Sequence, residues 1–305
     1  MNNLIKLSGS GYEATIDVSH GANCIGLRNA DFKAKILREP DPTKSDCYSF
    51  LYGMPILFPA NRISDGCFEF EDRRYTFPIN EAKTNCHVHG DLSRRPFKVE
   101  NLSEASVKCS FSEDHLGFPH RFRVEITYSI SQDGLTQKAE FFNLSDTDMP
   151  ILLGFHTTFN VPFSDGSKKE NIRLLCDVSD EIERDVSAYL PTGRILPPDD
   201  VTTAIQKGEH LPFESALSRH YKTGDSGRIE LIDIAERIKV VYKTDEKFGF
   251  RLLFNGNSQE FVCLEPMTNM VNCPNSPFDR EYAGFDYIEP HSSKVYTSRI
   301  YLEKI

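Results

Sequence analysis

Between Phe122 and Ile130 the sequence FRVEITYSI puts Phe, Val, Ile, Tyr and Ile at every second position, with polar residues between them. A repeat of two is the period of an extended chain with one buried face, so this segment predicts a half-buried β-strand. In CFEFEDRRYTFPI, residues 67–79, Phe68 and Phe70 alternate toward a polar turn near Asp72 and Arg73, and Tyr75 and Phe77 alternate back. That is the pattern of a hairpin. Similar short runs recur in KAEFFNLS, KVVYKT, FGFRLLFNG, EFVCLEP and VYTSRIYLEKI. Helical periodicity is scarce: VTTAIQKG and the neighbourhood of Glu214 to Arg219 predict a turn or two each, because Pro and Gly interrupt the rest. Many strands separated by Gly, Pro and Asn turns, without regular crossover helices, predict an all-β fold, an antiparallel sandwich or barrel. PTGRILPPDD, residues 191–200, reads as the most loop-like segment. The strand pattern resumes after it without a change of composition, so residues 1–305 read as a single domain.

Composition narrows the partners. The chain carries 45 acidic and 35 basic residues, a net charge of -10, so its overall field repels phosphate backbones and anionic membranes. Nucleic acid is a poor partner, and none is expected. No run of about 18 apolar residues occurs to span a membrane, and MNNLIKLSGSGYEATIDV does not read as a signal peptide. A cytoplasmic monomer or homodimer is expected. The eight cysteines, Cys24, Cys47, Cys67, Cys86, Cys109, Cys176, Cys263 and Cys273, form no C-x-x-C pair in a chain too large to need disulfide staples. They read as free thiols, mostly small core residues.

Candidate chemistry gathers at a few places. In NCHVHGD, His87 and His89 stand two residues apart. On an extended segment both imidazoles would share a face, which allows a metal site, an acid/base site or a purely structural pair. A metal site would need a third and usually a fourth ligand. GFHTTFNVPF sets His156 among apolar residues, where burial or a carboxylate can move its pKa. CLEPMTN ends an apolar run on Glu265 before Pro266, so the carboxylate is either a rim residue or a base at the mouth of a cleft. The GDSG in TGDSGR lacks the flanking residues of a trypsin-like nucleophile, and Gly, Asp and Ser are ordinary turn formers.

Taken together and in order, GMPILFPANRI, NCHVHGD, GFHTTFN, LPTGRI and CLEPMTN resemble the aldose 1-epimerase, or galactose mutarotase-like, family. VSHGANCIGLRN resembles that family's first sheet segment. The resemblance implies a large antiparallel β supersandwich with a sugar cleft on one face. It implies a small-molecule sugar as partner, no cofactor and no metal. By motif it assigns Asn61 and Arg62 to substrate binding, His89 to the first active-site histidine, His156 to the general acid and Glu265 to the general base. His87 has no counterpart and reads as support. Where the family's substrate-binding aspartate is expected, this sequence has Ser218 and Arg219; Asp225 is near but does not align. The function implied is isomerisation of a free aldose between α and β anomers. Two alternatives stay open: an epimerase of a sugar 6-phosphate or otherwise modified sugar, for which Arg73-Arg74 and Arg94-Arg95 are candidate cationic pairs, and a non-catalytic carbohydrate-binding protein. For catalysis, His89, His156 and Glu265 must converge within roughly 5 to 8 Å of one another, so that each reaches its proton. The ionised carboxylate and protonated imidazole are expected to stabilise each other across the sugar.

Overall fold

Alternation in sequence becomes alternation in burial along Phe122–Ser131, where Phe122, Val124, Ile126, Tyr128 and Ile130 are buried and Arg123 and Ser131 are exposed. This strand belongs to an eight-stranded sheet in a computed structural model that describes residues 3–41, 43, 49–113, 118–256 and 260–305. Its strands run in the order Lys98–Leu102, Ser106–Glu113, Phe122–Ser131, Gly134–Asn143, Ser293–Lys304, Ile238–Thr244, Arg228–Asp233 and Ile172–Cys176. Neighbours pair antiparallel throughout.

A second sheet carries the candidate residues. Its order is Pro191–Leu196, Val178–Arg184, Ser218–Thr223, Phe250–Phe254, Phe261–Met267, Gly154–Phe155 and Ile56–Leu57, with Thr157–Asn160 also paired to Phe261–Met267. The two sheets face each other through side chains of Thr157–Asn160: the Thr157 hydroxyl lies 2.8 Å from the Tyr242 hydroxyl, and the Phe159 and Tyr242 rings are 5.6 Å apart. A continuous cluster of buried apolar residues runs from Leu7 to Leu302. A four-stranded sheet, Leu4–Gly9, Tyr12–Asp17, Asn23–Asn29 and Ala34–Lys35, joins it near the N-terminus. The fold is all-β and antiparallel, as the period-two segments require.

Some elements differ from the sequence expectation. VTTAIQKG does form the helix Asp200–Lys207, capped by the Asp199 carboxylate, which accepts from the Thr202 N–H, and ended by Gly208 at φ 71. Residues 214–217 form no helix, and Ser218 and Arg219 open a strand instead. Pro191–Leu196, read as loop, is an edge strand with most side chains in solvent, so no buried face leaves a period to read. The hairpin forms as Cys67–Phe70 against Arg73–Thr76. Ser226 of GDSG donates to the Asp177 carboxylate in a turn. The described cysteines are free and, apart from half-buried Cys67, buried; Cys47 lies outside the described residues. No helix among the described residues is long and apolar enough to cross a membrane.

Candidate active site

The strand Phe261–Met267 is buried along its whole length because it has neighbours on both edges and packing on both faces. Its apolar sequence is what such a position demands, and Glu265 is the exception. With a period of two, Cys263, Glu265 and Met267 share one face, and Val262 and Leu264 take the other. Pairing of Leu264 with Thr157 sets Glu265 beside His156, which occupies the break between Gly154–Phe155 and Thr157–Asn160. The His156 N–H donates to the Pro55 carbonyl at 3.0 Å, fixing the backbone at that break. His156 Nε2 and Glu265 Oε1 are 3.3 Å apart, and the two residues are 3% and 1% exposed.

This separation lies within the roughly 5 to 8 Å expected from the reach of each group to its proton. The charges differ from expectation. Burial pushes the Glu265 carboxyl up to about 8, against the lowering effect of the Arg184 and Arg62 guanidiniums. Burial pushes His156 down to about 3. Both members are therefore driven toward their neutral forms, because removing a charge from water outweighs attraction between the two. A carboxylic acid beside a neutral imidazole holds as many protons as a carboxylate beside an imidazolium. Moving one proton across the 3.3 Å contact interconverts the two pairs without changing the net charge. Glu265 Oε2 and His156 Nδ1 are buried with no hydrogen-bond partner among the described residues, unusual enough to call for a functional account.

Above this pair sits a wall built by Arg62–Ser64 and Cys86–Val88, paired antiparallel. Asn61, at φ 57, presents its carbonyl to the His89 N–H at 3.0 Å, and its Oδ1 accepts from the Arg62 N–H at 2.9 Å. Asn tolerates this left-handed conformation better than most residues. Gly90, at φ 61, has no alternative, since a Cβ there would lie 2.0 Å from the Phe58 carbonyl oxygen. His89 itself is left-handed at φ 65, which ends the extended run and sends the two histidines apart. The shared face expected of His87 and His89 is therefore not formed. His87 places Nδ1 2.8 Å from the Pro78 carbonyl and stacks on Phe77, while His89 lies edge-on to His156 with ring centres 5.3 Å apart. Burial, then the neighbouring His156, hold His89 well below the usual imidazole range.

Arg62 is clamped before any ligand arrives: its Nε and Nη2 donate to the two Glu81 oxygens at 2.6 and 2.8 Å. Burial alone would raise the Glu81 carboxyl, but hydrogen bonds from Arg62 and Thr84 override it and leave it below its ordinary value. Asn61, Arg62, His89, His156 and Glu265 all line one cavity of about 350 Å³, within the range of small-molecule sites. Larger recesses of about 640 and 940 Å³ elsewhere on the surface contain none of them.

The cavity also contains residues that carried no sequence motif. Phe50 packs against His89 and His156 at 4.5 and 4.9 Å, Tyr189 lies under the Arg62 guanidinium at 5.0 Å, and Glu81 and Arg184 complete the polar lining beside Ser218, which stands where the family's aspartate is expected. Leu252 and Phe254 alternate in FGFRLLFNG, which reads as a strand, and it is the pairing of that strand with the one of Glu265 that brings them to the cavity. Arg73-Arg74 and Arg94-Arg95 do not line the cavity, and neither does Asp225. Arg219 is bound to Glu181 and Asp199 at 2.8 and 2.7 Å, whereas its neighbour Ser218 faces the cavity. The donor atoms of His156, Cys263 and Glu265 lie within 4.8 Å of one another. Burial and the Glu265 charge hold the Cys263 thiol well above its ordinary range, so this trio would take a cation only by giving up protons.

The chain is similar throughout to a galactose mutarotase-like protein from Clostridium acetobutylicum, with 30% identity, a TM-score of 0.93, and coverage of 99% of this chain and 95% of that one. Galactose 1-epimerase from Lactobacillus acidophilus shares the fold at 14% identity and a TM-score of 0.71, covering 99% and 94% of the two chains. An uncharacterised Escherichia coli K12 protein, YihR, is 29% identical over 154 residues, which span 50% of this chain and 48% of that protein. Residues 3–285 match the family described as aldose 1-epimerase. The chain belongs to the aldose 1-epimerase family.

Proposed function

We propose that the protein interconverts the α and β anomers of an aldose, with Glu265 as base and His156 as acid. The observation that carries this reading is the 3.3 Å contact between a buried carboxyl and a buried imidazole that both line a sugar-sized cavity. The two oxygens that exchange protons during anomerisation, O1 and O5, share the carbon C1. An acid and a base in contact suit that geometry better than a pair on opposite sides of the ring.

Opening starts from the carboxylate and imidazolium. Glu265 takes the O1 proton, the C1–O5 bond breaks, C1=O1 forms, and His156 Nε2 delivers its proton to O5. The pair is left neutral, the state that burial favours, so the site stabilises the open chain's protonation state. Rotation about C1–C2 turns the other face of the aldehyde to O5. On closure His156 takes the O5 proton and Glu265 returns one to O1. Each transfer contributes on the order of 10² to 10⁴-fold. Asn61, Arg62 and His89 hold hydroxyls while the chain is open, which is the positioning part of the rate.

The active form holds one proton on the pair beyond the carboxylate and neutral imidazole. It is lost upward as Glu265 releases its proton near pH 8 and downward only as His156 gains one near pH 3. Polarimetry of a freshly dissolved anomer should therefore give a kcat/KM that is flat through pH 6 to 7 and falls above about pH 8. A fall centred on the ordinary imidazole value, 6.5, would mean that an imidazole titrating in the ordinary way, and not the proton shared by the buried pair, limits the alkaline side.

Arg62→Ala should raise KM by roughly 10 to 100-fold, the effect of losing charge-assisted hydrogen bonds. Glu81→Gln, which frees the same guanidinium, should raise it less. A loss confined to kcat in both variants would contradict a binding role.

A further inference from the structure

We infer that the cavity is built for an aldose bearing a negatively charged substituent remote from C1, and that Arg184 binds that substituent; this rests on the epimerase reading above. Arg184 ends the strand Val178–Arg184 and lines the cavity. Its Nη2 donates to the Ser218 carbonyl and hydroxyl at 2.8 and 3.0 Å, and no carboxylate pairs with it among the described residues. Two carboxyl groups line the same cavity. Glu81 is occupied by both of its oxygens with Arg62. Glu265 must accept and return protons. The half-buried Arg184 guanidinium thus has no carboxylate within ion-pair distance among the described residues; burial and the Arg62 charge pull it down to about 10, and the Glu265 and Glu181 carboxylates offset this only in part from further off. Withdrawing such a group from water is costly unless an anion arrives to pair with it.

The sheet also fixes where the anion would sit. Ser218 pairs with Phe254, and Leu252 pairs with Glu265, so these side chains share one face across adjacent strands. The strand of Arg184 is three steps from that of Glu265, about 14 Å at the usual strand spacing, a gap narrowed by the long arginine side chain. A sugar with C1 at Glu265 would cross Leu252 and Phe254 and present its far carbon to Arg184. The planar guanidinium fork matches the oxygens of a phosphate, sulfate or carboxylate, and does not need a hydroxyl. This favours the modified-sugar alternative, and it assigns the recognition to a residue other than Arg73-Arg74 and Arg94-Arg95, neither of which lines the cavity.

The test is the α/β exchange rate of glucose, glucose 6-phosphate, glucose 6-sulfate and glucuronate with the parent protein, Arg184→Gln and Arg184→Lys. At least one charged sugar should exceed glucose in kcat/KM by about tenfold or more. In Arg184→Gln that preference should collapse through KM, and Arg184→Lys should keep part of it, since it retains the charge and loses the fork. Which of the charged sugars leads identifies the oxyanion. Equal kcat/KM on all four, or an equal fall on charged and neutral sugars accompanied by a displaced alkaline limb, would overturn the inference and make Arg184 a counter-charge for Glu265. Should the parent accelerate none of them, the epimerase reading fails by itself. Calorimetry then decides: tighter binding of a charged sugar than of glucose, lost in Arg184→Gln, supports the anion site, and equal binding refutes it.

Discussion

Glu265→Gln is expected to lower kcat for anomerisation by at least about 10²-fold and to change sugar affinity little. Glutamine keeps the shape and can hydrogen-bond to O1, but it cannot take the O1 proton, so binding and proton transfer are separated by the substitution. The alkaline limb near pH 8 should vanish with the group that causes it. Stability supplies an independent control. The folded carboxyl holds its proton up to about 8 while the unfolded one releases it near its ordinary 4.5, so between these values the parent binds more protons folded than unfolded and loses stability as pH rises. Glutamine carries no such dependence. The variant should melt at a higher temperature than the parent near pH 8, with the advantage shrinking toward pH 4.5. A variant that is inactive and also less stable at pH 8 would indicate a structural role for the carboxylate.

His156→Asn should cost a similar factor. The amide retains polarity near the ring oxygen but offers no proton at the place of Nε2, so O5 must leave C1 as an alkoxide. Phe50 loses its contact with the imidazole at 4.9 Å, which adds a small effect on affinity. Because the two residues pass protons within one cycle, the double variant should be little worse than either single one. Losses that multiply would mean that the residues act in separate steps.

How much of this was legible beforehand depended on whether a residue left a local signature. Strands with one wet face, such as Phe122–Ser131, write their period directly into the sequence. Pro191–Leu196 does not, because an edge strand that buries little has nothing to alternate. Glu265 was visible as a charge in an apolar run, and its partner His156 as an imidazole between phenylalanines. Their direct contact was not visible, since it comes from the register of Leu264 on Thr157, a pairing of distant segments. The direction of both pKa shifts followed from that same burial. His87 and His89 misled by spacing alone: two residues share a face only while the chain stays extended, and Asn61, His89 and Gly90 are all left-handed. Arg184 and Glu81 lie in ordinary mixed polar stretches, where only the folded cavity distinguishes them from surface charges.

The central claim is that a buried Glu265–His156 pair equilibrates sugar anomers. Magnetisation-exchange NMR on the C1 protons of glucose and glucose 6-phosphate at equilibrium measures this without any coupled reaction. The expected result is α-to-β exchange whose rate rises in proportion to parent protein and falls at least about 10²-fold in Glu265→Gln and His156→Asn. Sugar binding by the parent with no exchange above the uncatalysed rate, or undiminished exchange in Glu265→Gln, would contradict it.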